Sequence, residues 1–378
     1  MAGRGSVENR GKGSWRLTVS VGIGKDGKYI KKRKTVQAKN KTVAGMLLNR
    51  FIEEIDNGSY ATPTHIKFKD YAEVWKIKPV KPLSPSTIEM YTYLLDGRII
   101  PAIGHLKMED ITDGHITDFL QTLGDDGLSS STIHKHYNAL SGIFKHAIKK
   151  EIINKNPLDK VDRPSVTYKE SQVYNATEEK QLLKLLENEK NKQQTLIVKV
   201  ALKTGMRKGE ILALQWEDVD FSTNTIHVRH SLSYTKANGY QLKEPKTKGS
   251  SRDLGVPIKL MNELKKHIYK KKTDRMEADE LWRGGEYYFV FSSDLGKPLL
   301  PSVPTQWLDR FLKRNGFKKI TFHSLRHTFA TGLVNRGGNI NKISKFLGHS
   351  SISMTVDTYS HLLEEDREIA DMVDEDYV

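Results

Sequence analysis

Apolar and polar residues alternate from Trp15 onward: Trp15, Leu17, Val19, Val21 and Ile23 stand two apart, with polar or small residues between them. That is the period of a strand with one buried face. Asp26-Gly27 follows as a turn, because glycine accepts the positive φ of a tight hairpin. The next strand, YIKKRKTV, carries four consecutive basic residues, Lys31, Lys32, Arg33 and Lys34. Val43, Met46, Leu47, Phe51 and Ile55 then recur at helical spacing, and Asp56-Asn57-Gly58 ends that helix. With a further strand near Ser6–Asn9, residues 1–60 are expected to form a three-stranded sheet backed by one helix. The open face, with Arg16 and Lys31 to Lys34, either enters a DNA groove or is a solvated edge protected by lysines.

Helical periods dominate from about 65 to 165. Phe68, Ala72 and Trp75 share one face, Ser86-Thr87-Ile88-Glu89 reads as a capping box opening a helix through Leu95, and Ile116, Phe119 and Leu120 mark another helix. Ile133, Tyr137, Leu140, Ile143, Phe144 and Ile148 form a long core stripe, with His134, Lys135, His136, Lys145, Lys149 and Lys150 largely off it. These basic residues, Lys135 and Lys145 above all, either hold DNA phosphates or make a solvated face. Asn156-Pro157 breaks the helix, and KVDRPSVTYKESQ reads as a linker. From Tyr174 the pattern is mixed. Thr177-Glu178-Glu179 caps a helix carrying Leu182, Leu183 and Leu186; helices follow over 194–204 and 207–215. Short strands are expected near 225–230, 238–243, 252–256 and 288–292, with helices to the end. The class is multidomain α+β: a small sheet-plus-helix domain (1–60), an all-helical domain (65–160) and a mixed, mainly α domain (172–378).

Composition narrows the function. No run of about 18 apolar residues exists to span a membrane, so no membrane partner is expected. The N-terminus lacks the apolar core of a secretory signal, which points to the cytoplasm. Zero cysteines exclude disulfides, thiolate metal sites and cysteine nucleophiles. The net charge of +15 is uneven: residues 1–60 hold 13 Lys/Arg against 5 Asp/Glu, while 363–378 hold 8 acidic residues against Arg367. Such a balance suits a polyanion partner, usually nucleic acid, but also a merely basic surface. Charge leaves the two open.

Four short motifs decide it: TGMRKGEIL (Thr204–Leu212), EPKTKGSSR (Glu244–Arg252), HSLRHT (His323–Thr328) and LGHSSISMTVDTYSHL (Leu347–Leu362). Singly each is weak. His323 and His327 stand i, i+4 like a zinc pair, but Ser324 occupies the place where a zinc protease needs glutamate. In order the motifs give Arg, Lys, His-x-x-Arg, His and Tyr, and this set resembles the tyrosine recombinase (phage integrase) family over essentially the whole chain. The basic sheet-plus-helix segment resembles the arm-binding domain of integrases from phages and conjugative transposons. The helical segment is similar to the family's core-binding domain, which leaves 172–378 as catalytic domain and tail.

The resemblance implies a metal-free, cofactor-free transesterification. Arg207 and Arg326 would present forked donors to the non-bridging phosphate oxygens, and His349 would add a third donor. Tyr359 would be the nucleophile, with His323 taking its proton. Lys246 would protonate the leaving 5′-oxygen, although Lys248 stands two residues on in the same segment. Glu210, one turn after Arg207, would orient the clamp or the hairpin. His327 reads as packing. The implied function is a site-specific integrase that cuts and rejoins double-stranded DNA through a 3′-phosphotyrosine and a Holliday junction, at core-type and arm-type sites. The implied assembly is a homotetramer in the nucleoid, with an excisionase and a host DNA-bending protein as further partners. A tyrosine-type topoisomerase and a DNA-binding regulator without catalysis are the rival readings. Ile369, Met372 and Val373 in the acidic tail lie at helical spacing; the tail either docks on a neighbouring protomer or is simply solvated.

Overall fold

The computed structural model describes residues 5–23, 29–56, 66–77, 83–166, 172–244, 251–349, 351–353 and 355–356. The expected Asp26-Gly27 turn, Lys246, Lys248, Tyr359 and the acidic tail lie outside them. The chain divides into two compact units, Met1–Tyr168 and Lys169–Val378.

In the first unit, β1 (Gly5–Gly11), β2 (Ser14–Ile23) and β3 (Tyr29–Gln37) form an antiparallel sheet in that order, followed by α1 (Lys41–Asp56). The alternation read in the sequence is realised: Leu17 and Val19 are fully buried and pack with Phe51 of α1. The β1–β2 turn runs through positive φ at Gly11, Lys12 and Gly13, with the Asn9 side chain accepting from the Gly11 amide. Val43 and Met46, expected on the buried face of α1, are exposed. Ala44, Leu47, Leu48, Ile52 and Ile55 pack against the sheet with Phe51 instead.

The helices α2 (Phe68–Ile77), α3 (Pro85–Leu94), α4 (Ile100–Ile103), α5 (Asp113–Asp125) and α6 (Ser130–Lys149) follow, with a π turn over Leu95–Ile99. Ser84, not Ser86, caps α3, because Pro85 suits the first helical position, where no amide hydrogen is needed. Phe68, Trp75, Leu95, Ile99, Ile116, Leu140, Ile143 and Phe144 form the core. Gly142 admits Trp75: a Cβ there would lie 3.0 Å from the indole. His136, read as part of a basic face, is buried, and so is His146. His136 Nδ1 lies 2.9 Å from the Thr132 carbonyl, and His146 Nδ1 lies 2.7 Å from the Tyr71 hydroxyl.

The second unit contains α7 (Ala176–Glu187), α8 (Lys192–Thr204), α9 (Lys208–Ala213), β4 (Val219–Asp220), β5 (Thr225–Val228), β6 (Ser231–Thr235), β7 (Gly239–Lys243) and β8 (Arg252–Gly255). Then come α10 (Ile258–Ala278), α11 (Ser302–Arg314), α12 (Phe322–Val334) and α13 (Ile340–Leu347). Strands β4, β5 and β8 make one antiparallel sheet, and β6 pairs with β7 as a hairpin. Asn175, two residues before the expected cap, forms a reciprocal capping box with Glu178. Helix α8 is buried on most of its surface and packs on α10, α11 and α12.

The segment 288–292, expected as a strand, is buried but pairs only through isolated bridges. Two of its carbonyls are taken by side chains: His267 Nε2 donates to Val290 O at 2.9 Å and Lys271 Nζ to Ser292 O at 3.0 Å. Burial above all lowers His267 to about 4, against the opposing effect of its hydrogen bond to Val290. A histidine depressed in the fold supports stability that is full above its unfolded pKa of about 6.5 and is lost as pH falls toward the folded value. Urea unfolding of the whole chain should therefore show less stability at pH 5 than at pH 7.5, with His267 supplying up to about 2 kcal/mol of the difference. His267→Gln, which keeps a donor for Val290 O, should shrink the difference. Equal stability of the unsubstituted chain at both pH values would contradict the assignment.

Candidate active site

Helix α8 ends at Thr204, Gly205 turns the chain in the left-handed region at φ +61, and Arg207 stands at the N-cap of α9. A Cβ on Gly205 would meet Phe329 at 2.6 Å and Leu347 at 2.8 Å, so both conformation and packing require glycine. Glu210, in the first turn of α9, accepts from the Arg207 amide at 2.9 Å. The TGMRKGE motif is thus a helix exchange that fixes Arg207 and Glu210 side by side.

The HSLRHT motif opens α12, capped by Thr321, whose hydroxyl accepts from the Ser324 amide. Arg326 is 3% exposed and reaches across to the α8–α9 turn, donating to Gly205 O at 2.7 Å. The LGH motif ends α13, where Gly348 at φ +68 terminates the helix.

The last carbonyls of a helix have no partner within it and carry the negative end of its dipole. Here three successive carbonyls are each taken by a different arginine. Arg252 Nε donates to Phe346 O at 2.6 Å, Arg326 Nη2 to Leu347 O at 2.8 Å, and Arg207 Nη2 to Gly348 O at 2.9 Å. Glu210 lies between two of them. Its Oε1 is 2.8 Å from Arg207 Nη1, and its Oε2 is 2.9 Å from Arg252 Nη2. Burial would raise this carboxyl, but the hydrogen bond and charge of Arg252, with further bonds from Arg207, hold it below the usual range. Glu210 is therefore an anion at neutral pH.

His349 follows this turn, and its Nδ1 lies 2.7 Å from the hydroxyl of fully buried Thr355. With Thr355 donating, Nε2 carries the hydrogen and can donate in turn. Burial, then the charges of Arg326 and Arg207, lower His349 to about 4. His323 is pushed down by the atoms crowding it and by His327, Arg326 and Arg207, although its ring remains open to solvent. The rings of His323 and His327 meet edge to face at 4.8 Å. Among the described residues no group of three His, Cys, Asp or Glu gathers as a metal site.

The structure thus brings Arg207, Glu210, His323, Arg326 and His349 into one constellation. Sequence reasoning passed over Arg252 and Thr355. Arg252 figured only as the last residue of the EPKTKGSSR motif, and Thr355 had no signal beyond lying six residues after His349.

The basic residues assigned to DNA separate by strand parity. Cross-strand partners share a face, and Leu17 pairs with Lys34 and Val19 with Lys32. Lys32 and Lys34 therefore belong to the helix side, which corrects the single basic face read from the sequence. Lys34 bonds Glu54 of α1 at 2.8 Å and lies over the Phe51 ring. Lys31 pairs with Ser20, and Arg33 with Thr18, on the open face that also carries Arg16. Lys135 and Lys145 are exposed on α6.

Known proteins resemble this chain along most of its length. The pattern described as "Phage integrase family" matches residues 172–366, and two patterns of SAM-like phage integrase domains match 67–124 and 100–163. The ICEBs1 integrase of Bacillus subtilis is 26% identical over 98% of this chain and 99% of its own length. A XerC-like tyrosine recombinase of Caldanaerobacter subterraneus is 28% identical over 96% of each. Among solved structures, the Tn1549 transposon integrase in complex with a circular intermediate DNA superposes with TM-score 0.68 over 83% of this chain and 100% of that one, at 22% identity. A lambda integrase dimer bound to a core site gives 0.59 over 96% of both chains, at 18% identity. With residues 172–366, more than half its length, matched by the family pattern, the chain belongs to the phage integrase family and is a tyrosine recombinase.

Proposed function

We propose that this recombinase is the integrase of a mobile element, which cleaves and rejoins double-stranded DNA with Tyr359 as nucleophile. The observation that carries the reading is the charge of the clamp. Three arginines, Arg207, Arg252 and Arg326, meet at the end of α13 with one carboxylate, Glu210, which pairs with Arg207 and Arg252, and burial and these cations lower both His323 and His349. A phosphodiester brings one negative charge and its pentacoordinate transition state about two, so a positive surplus of this size favours the transition state over the ground state. The carbonyls hold these guanidinium groups in place before DNA arrives, so little reorganisation remains for the chemical step.

The reaction runs as a transesterification. The Tyr359 hydroxyl gives its proton to neutral His323 as its oxygen attacks phosphorus, and the bond to the 5′-oxygen breaks as Lys246 protonates that oxygen. Arg207, Arg326 and His349 hold the non-bridging oxygens. The 3′-phosphotyrosine keeps the bond energy, so a 5′-hydroxyl from another strand can reverse the step without ATP. Two such exchanges through a Holliday junction recombine two sites. This requires four protomers on DNA, with direction set by an excisionase and a host DNA-bending protein. Among the described residues no helix is long and apolar enough to cross a membrane. Relatives named for ICEBs1 and Tn916 support the mobile-element reading. The face with Arg16, Lys31 and Arg33 would read arm-type DNA, and Lys135 and Lys145 would hold core-site phosphates.

Three outcomes follow. Tyr359→Phe should bind DNA as the unsubstituted chain does yet form no covalent adduct on a nicked suicide substrate, and the unsubstituted chain should form it in EDTA. A persistent adduct in the variant, or a strict metal requirement, would overturn the mechanism. Lys246→Ala should fail on ordinary DNA and recover on a substrate with sulfur as the 5′-bridging atom, which leaves without protonation; recovery by Lys248→Ala instead would move the acid two residues. Replacing Lys31 and Arg33 by alanine should reduce the log–log salt slope of arm-site binding by about 0.9 for each phosphate no longer neutralised. Lys34→Ala should lower thermal stability and leave that slope unchanged, and the opposite pattern would reverse the assignment of faces.

A further inference from the structure

The buried half of the clamp points to a residue that the reaction scheme does not use. Arg252 opens β8, paired with Val228, and its side chain is only 7% exposed. Its three nitrogens are committed inward: Nε to Phe346 O at 2.6 Å, Nη1 to Glu210 Oε1 at 3.3 Å and Nη2 to Glu210 Oε2 at 2.9 Å. Gly348 packs directly on this guanidinium, since a Cβ there would lie 2.9 Å from Nη1 and 3.2 Å from Cδ. One planar group thus fixes the carboxylate that orients Arg207 and the turn that presents His349. A lysine ammonium has the charge but not the planar fork needed to reach all three acceptors.

We infer that Arg252 is a positioning residue of this active site, acting through Glu210 on Arg207 and through the Phe346 carbonyl on His349. The inference rests on the recombinase reading above. It differs from a purely structural staple because it places the loss in the chemical step, and it differs from a role in the acid because it acts on the phosphate oxygens rather than on the leaving oxygen.

The test uses the full chain on a nicked suicide substrate. Arg252→Lys should slow single-turnover cleavage by about 10- to 100-fold while DNA affinity changes by less than about threefold. Sulfur at the 5′-bridging position should not restore the rate; restoration would put the defect in leaving-group protonation and overturn the inference. In a Glu210→Gln background, adding Arg252→Lys should slow cleavage by clearly less than it does in the unsubstituted chain, because the part of its effect that runs through Glu210 is already lost. Losses that multiply would show independent roles and refute it. Failure of the unsubstituted chain to form any adduct would count against the recombinase reading instead.

Discussion

The unpaired carbonyls at the end of α13 are the constraint on which the active site depends. A helix terminus leaves acceptors unsatisfied, and burying them without donors is costly. This protein satisfies them with arginines drawn from three separate places: the α8–α9 turn, the start of β8, and α12. Elements far apart in the chain are thereby tied to one turn of backbone. The turn is kept narrow by Gly205 and Gly348, where added side chains would strike Phe329, Leu347 or Arg252. The same bonds that complete the fold of the second unit therefore also set the geometry of the candidate site.

This arrangement resolves a conflict between stability and catalysis. Gathering cations without a bound anion is unfavourable, and an isolated guanidinium in a dry pocket would be pushed out to solvent. Carbonyl dipoles and one carboxylate supply enough negative potential to keep them in place, but less than their full charge. Each guanidinium has five N–H donors, and Arg326 gives one from each of Nη1 and Nη2 to backbone carbonyls. Arg207, with a side chain 36% exposed, is the more open of the pair to an incoming ligand. Burial and these same cations keep His349 from adding a further charge, so the surplus stays moderate.

Much of this was legible in the sequence, for reasons that differ by element. The period of two through Leu17 and Val19 and the stripe through Leu140 and Phe144 gave the sheet and the long helix, because burial on one face leaves a direct imprint on residue order. The gathering of Arg207, His323, Arg326 and His349 was legible because short motifs with fixed spacings mark them in the chain, and the structure brings these motifs together. Arg252 was not, because its role is set by a carbonyl and a carboxylate supplied from other elements, and an arginine after a basic segment looks like any surface cation. Capping positions slipped by two residues at Ser84 and Asn175, where several polar residues in a row could each have served. Strand β6 escaped notice because five residues with half-buried sides carry little periodic signal. The segment 288–292 had the apolar run of a buried strand, yet His267 and Lys271 took carbonyls that a neighbouring strand would have used.

The division of labour along β3 has an evolutionary consequence. Alternate residues of one short strand answer to different pressures: Lys32 and Lys34 sit beside the helix, and Lys34 is held by Glu54 and Phe51, while Lys31 and Arg33 look the other way. Substitutions at the outward positions change what the surface can touch without disturbing the packing that holds the module together. A lineage can therefore alter the outward side of this strand one residue at a time while the helix-facing side keeps the packing of Leu17, Val19 and Phe51.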